Sequence, residues 1–152
     1  VRHYDHRRPA FRVTFPESDH DGPDAGPGAS SVFAAFLNTD PYTYLGTRGL
    51  SLAPAATLDG PLSVATFANL SVATLVTTMA AAMGLQSAIR SRSGRSGGLQ
   101  VRDDVNLAEI VATRPVPWQV DGDHAGDTDR LVIRHHPEAM DLVVPLASPA
   151  FA

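Results

Sequence analysis

Twelve prolines and twelve glycines punctuate the 152 residues. This density of chain breakers constrains the fold more than any other feature of the sequence. Proline has no N–H to donate and fixes its own backbone, and glycine loses the most freedom on ordering, so the pattern favours many short elements joined by turns over a long helical bundle. Aromatics make up only 7% of the chain, while apolar residues make up 43%. That is enough for one compact domain with its own core and too little chain for two ordinary ones, so residues 1–152 read as a single, mainly β domain.

Local patterns place the elements. Ala10–Phe15 (AFRVTF) alternates β-branched and aromatic residues and is closed by Pro16, as a strand would be. Residues 17–31 are acidic and rich in Gly and Pro, which predicts a loop. Val32–Leu37 is a short apolar run ended by Asn38, Asp40 and Pro41, and Leu62–Phe67 has the same character; both are expected to be strands. Between them, Tyr42–Pro54 reads as an irregular turn followed by a short strand. From Ser71 the period changes: Val72, Leu75, Val76, Met79 and Met83 recur at intervals of three and four. That predicts one helix, with Asn69 or Ser71 as its cap, Gly84 as its stop and the apolar stripe packed in the core. Residues 90–98 form a basic Ser/Gly linker. Strands are expected again at Val105–Thr113, Trp118–Val120, Leu131–Arg134 and Leu142–Val144.

Several function classes are excluded or disfavoured. There is no cysteine, hence no disulfide, thiolate metal site or cysteine nucleophile, and the cytoplasm is the expected compartment. All twelve basic residues are arginine, so neither a phosphate-gripping nor a Schiff-base lysine comes from this chain. A net charge of -4 argues against broad nucleic-acid binding. The opening residues, from Val1, lack the apolar core of a signal peptide and read as a cut end. The uncharged stretch Gly60–Ile89 is interrupted by Asn69, Ser71 and threonines, which suits a strand and a helix better than a membrane span.

Few residues carry chemistry. Asp59-Gly60 and Asp121-Gly122 each border a strand; by pattern alone both are turns. Asp121 and Asp123 nevertheless make a close carboxylate pair, in which one group can accept a proton while the other tunes it or organises a metal-bound water. The acidic run through Asp127 and Asp129 fails as a calcium loop, because Ala125 occupies a ligand position and Val132 stands where a bidentate glutamate belongs. His3, His6, His20, His135 and His136 lack the spacing of a zinc site on a helix, and no serine nucleophile elbow is present.

Three segments in order are more informative: NTDPYTYLG (38–46), LSLAPAATLDG (50–60) and PVPWQVDGD (115–123). Together with the tail RHHPEAMDLVVP (134–145), they resemble the C-terminal half of diacylglycerol-kinase-like and sphingosine-kinase-like lipid kinases over roughly residues 4–145. The resemblance implies a two-layer β-sandwich with one or two flanking helices. It also implies transfer of the γ-phosphoryl group of ATP to a hydroxyl of diacylglycerol or a similar lipid, with Mg2+. On this reading Asp121 is the general base and Asp123 its acidic partner, where the family usually has glutamate. Asp59 matches an aspartate that helps hold a structural magnesium in some relatives, although Ala56, Thr57 and Leu58 supply no second carboxylate.

The implied partners are a lipid substrate at the membrane surface and the protein's own N-terminal nucleotide-binding domain, and a homodimer is left open. Nucleic acid is not among them. No Gly-Gly-Asp-Gly-Thr run occurs here, so ATP would be bound by that other domain and this piece alone would be silent, working in the cytoplasm as a peripheral membrane protein. Two alternatives stay open: a non-catalytic β-domain that binds a lipid or a partner protein, and a carboxylate-dependent hydrolase using Asp121 and Asp123.

Overall fold

The computed structural model describes residues 8–16, 28–71, 74, 76, 78, 98–139 and 141. The described part is mainly β, as the sequence predicts. Its strands are β1 (Phe11–Thr14), β2 (Ala29–Ser31), β3 (Phe33–Leu37), β4 (Thr43–Leu45), β5 (Arg48–Leu50), β6 (Leu62–Phe67), β7 (Leu99–Val105), β8 (Leu107–Val120) and β9 (Asp123–Arg134). They form a four-stranded sheet in the order β2-β1-β8-β9, a three-stranded sheet in the order β3-β6-β7 and a separate β4-β5 hairpin, with every pairing antiparallel.

The two larger sheets pack face to face, because each presents an apolar face at the two-residue period of a strand. Val13 and Ala108 from the four-stranded sheet meet Val64 and Val105 from the three-stranded one, and Phe11, Ile110, Ala34, Phe36 and Leu62 surround them. Phe15, just after β1, also carries the guanidinium of Arg102 from β7 over its ring, 4.6 Å from the centroid. The second face of the three-stranded sheet is covered as well: Ala65 and Phe67 pack with Val32, Leu52 and Leu70. Strand β6 is therefore buried on both sides, which is why its sequence is nearly continuous in small and apolar residues.

The chain changes sheet at two corners. Val32, only 1% exposed, separates β2 from β3 and donates its N–H to the Phe67 carbonyl at 2.8 Å. Asn106 separates β7 from β8 and accepts the His135 N–H at 2.8 Å. Beside the second corner, β7 carries an irregularity opposite Leu62–Val64. There Asp104 takes a left-handed φ of 57°, and the buried Ser63 hydroxyl donates to the Asp103 carboxylate at 2.6 Å.

Several predicted boundaries need correction. Residues 29–31, assigned to the loop, form β2, whose approach to β1 requires Gly28: a Cβ there would lie 2.2 Å from the Val13 carbonyl oxygen. The Tyr42–Pro54 segment contains a two-stranded hairpin instead of one short strand. Of the strand expected at Val105–Thr113, Val105 ends β7 and Asn106 is the corner, while residues 107–113 join the expected Trp118–Val120 in one strand, β8, which runs through Pro115 and Pro117. Strand β9 begins at Asp123, not Leu131, and takes in the acidic run.

Of the predicted helix, Thr74, Val76 and Thr78 are described and helical. Val72, Leu75, Met79, Met83 and the stop at Gly84 lie outside the described residues, as do residues 90–97 and the strand expected at Leu142–Val144. The Ser71 hydroxyl accepts the Thr74 N–H at 3.2 Å, as a cap should, and the Asn69 side-chain oxygen accepts both the Ser71 N–H and the Thr74 hydroxyl. This network holds Thr74 inside, 3% exposed, while Val76 is 62% exposed instead of lying in the core. Among the described residues no helix is long and apolar enough to cross a membrane.

Candidate functional site

The motif around Asp121 lies on the longest pairing among the described residues. Strands β8 and β9 run together from Leu107↔Arg134 to Val120↔Asp123 and are joined by the two residues Asp121 and Gly122. Both of these have left-handed backbones, with φ of 50° and 94°. Two positive φ values in a two-residue loop describe a type I′ turn, whose twist matches that of the flanking strands. Asp-Gly suits it because aspartate tolerates the left-handed region and glycine has no Cβ to resist it.

The first half of β8, up to Ala112, is also paired to β1. Beyond that point β8 and β9 continue, among the described residues, without a third strand, as a two-stranded ribbon. Within this ribbon only Val116 is buried, with Trp118, Gly126 and Thr128 half-buried and every other residue exposed. Asp121 and Asp123 stand at its free end, on either side of Gly122, and both are exposed. The carboxylate of Asp121 accepts no hydrogen bond from the described residues. Any catalytic environment must therefore be supplied from outside the ribbon.

Asp59 lies elsewhere, in the connection between β5 and β6. Its own N–H and that of Gly60 donate to the Thr57 hydroxyl and carbonyl, each at 3.4 Å, so it too belongs to a turn. It is exposed. Among the described residues no three His, Asp or Glu side chains gather to hold a metal ion. A hard divalent cation takes several oxygen ligands, and the described surroundings of Asp59 do not fit one.

Near the base of the ribbon the outward face of the four-stranded sheet carries charge that no sequence motif announces. Arg130 donates to the Glu109 carboxylate, one step diagonal across the β8-β9 ladder. That hydrogen bond, and then the attraction of the carboxylate's charge, raise the guanidinium's pKa above its ordinary value. The pair is exposed, and its contribution to stability is correspondingly small. Only knowledge of the β8-β9 register would have revealed it, since the two residues are 21 positions apart.

No family model matches the chain, and searches of characterised proteins and of solved structures likewise find no match.

Proposed function

We propose that this chain is the substrate-side domain of an ATP-dependent lipid kinase, in which Asp121 takes the proton from the acceptor hydroxyl of diacylglycerol or a similar lipid. The reading rests on the order of the three motifs and on the β-rich architecture that accompanies them. The observation that carries it is the place of Asp121: a carboxylate with no hydrogen bond from the described residues, at the free end of a ribbon extending past its sheet. A general base must come within hydrogen-bond reach of the proton it removes, and a ribbon tip is reachable by a substrate held on another body.

In the proposed reaction the lipid hydroxyl gives its proton to the Asp121 carboxylate as its oxygen attacks the γ-phosphorus. The bond to the β–γ bridging oxygen breaks and ADP leaves. Magnesium would arrive with the nucleotide on the nucleotide-binding domain, where it would supply charge neutralisation, since the described surroundings of Asp59 do not suit it. Asp123, shorter than glutamate by one methylene, helps set the charge at the tip. The protein would act at the cytoplasmic face of a membrane, where its lipid is found.

One observation favours a second reading, a non-catalytic β-domain that binds a lipid or a partner protein. The Asp-Gly pair fits the turn it occupies on steric grounds alone, so its presence has an explanation without chemistry. The two readings separate in one experiment. The chain joined to its own upstream nucleotide-binding segment is assayed for transfer of labelled phosphate from ATP to diacylglycerol in mixed micelles. The kinase reading expects transfer by the joined protein and none by residues 1–152 alone. An upstream sequence with no nucleotide-binding segment, or a joined protein that transfers nothing, refutes it.

A further inference from the structure

The ribbon that carries Asp121 is interrupted where it leaves the sheet. Val111 pairs with Arg130 and the next matched pair is Val116 with Thr128, so Ala112, Thr113, Arg114 and Pro115 of β8 face the single residue Asp129 of β9. An ordinary bulge sets two residues against one; four against one breaks the ladder over a longer stretch. The third strand stops at the same place, since β1 pairs with β8 only as far as Ala112. Pro115, within the gap, has no N–H with which to restore a bond across it.

On the β9 side the break is bridged locally. The Thr128 hydroxyl donates to the Arg130 carbonyl at 2.7 Å and accepts the Arg130 N–H at 3.2 Å. One side chain thus satisfies the backbone of the residue just before the break, and the sheet beyond it is held by the full three-strand ladder. Past the break the ribbon has, among the described residues, only its own pairing and one buried side chain, Val116. Few buried contacts and exposed backbone bonds are the features of a low-stability segment.

We propose that this long bulge is a pivot: the ribbon beyond it turns as a unit on the sandwich, with the Thr128–Arg130 clasp as its axis, and the angle is fixed when a partner surface meets the tip. The five residue-to-residue steps from Val116 to Asp121 span about 17 Å at the ordinary strand rise, so a turn of about 20° moves the tip by about 6 Å. That movement would bring the carboxylate of Asp121 to or away from a substrate held on another domain. The pivot itself stands whether or not the kinase reading does; only its use for delivering Asp121 rests on that reading.

The cysteine-free chain allows a direct test by spin labelling. Labels are placed at Ser30→Cys and Gln119→Cys, exposed positions on β2 and on the ribbon, and the distance distribution is measured by pulsed electron paramagnetic resonance. A control pair, Ser30→Cys with Gln100→Cys, spans the two packed sheets. The pivot predicts a ribbon distribution at least about twice as wide as the control. Deleting Thr113 and Arg114 leaves an ordinary two-to-one bulge without changing which face each later residue occupies, and the distribution narrows to the control width. Thr128→Val removes the clasp and widens it, which keeps the test decisive if the deletion variant fails to fold. A ribbon as narrow as the control overturns the proposal, and so does a wide distribution that neither change alters. Because the readout is a distance, its failure is distinguishable from the absence of kinase activity.

Discussion

Replacing Val64 by alanine probes the packing of the two sheets. Val64 is 1% exposed in β6, at the centre of the cluster formed with Val13, Val105 and Ala108. Truncation removes two methyl groups, about 1.6 kcal/mol at roughly 0.8 for each buried carbon. The cavity adds about 1 kcal/mol for a residual void of roughly 40 Å³. The expected loss is therefore about 2.5 kcal/mol, which shifts a urea midpoint by about 1 to 2 M for a slope typical of a small domain. Val111→Ala serves as the comparison: it removes the same atoms from the outward face of β8, where the side chain is 49% exposed, and should cost less than about 0.5 kcal/mol. A cycle pairing Val64→Ala with Val13→Ala should show coupling of about 0.5 kcal/mol or more, since one residue comes from each sheet. Equal losses at Val64 and Val111, or additive losses at Val13 and Val64, would refute the face-to-face packing.

Two further substitutions test local features. Gly122→Ala places a Cβ at φ 94° and should cost about 1 to 2 kcal/mol in denaturant unfolding, because the left-handed region penalises any side chain. Ser63→Ala removes the donor to Asp103 from a site that is 1% exposed and should cost about 1 to 2 kcal/mol, more than an alanine replacement of the exposed Ser30 measured in the same way.

Much of the fold was legible because burial and period agree. Leu62–Phe67 has the near-continuous apolar content of a strand covered on both faces, and β6 has those bounds. Val32–Leu37 was found as a strand, but its first residue is the corner between sheets, a distinction set by what covers Val32 and not by local pattern. The long β8-β9 ladder was hidden by its own breakers. Prolines at 115 and 117 argue against a continuous strand, yet Pro115 lies in the bulge and Pro117 is in the two-stranded ribbon, where little neighbouring structure demands its missing N–H. The acidic residues of β9 were not included in the expected strand at Leu131–Arg134 because they are polar on both faces, which is what a solvated ribbon permits. The helix stripe assumed that periodicity decides burial, whereas at Thr74 a capping network does. At the candidate site, the sequence identified the Asp-Gly turn, and the structure supplied its position at a free ribbon end.

That position leads to the most direct measurement of the central claim, the role of Asp121. Asparagine is as much at ease as aspartate in the left-handed first position of a type I′ turn, so Asp121→Asn removes the charge and keeps the hairpin, whereas alanine would disturb both. In the chain joined to the nucleotide-binding domain that the proposed function requires, kcat for lipid phosphorylation by Asp121→Asn is predicted to fall by about 10² to 10⁴, the usual worth of a general base, with an unchanged unfolding midpoint. Turnover at the unsubstituted rate would contradict the account.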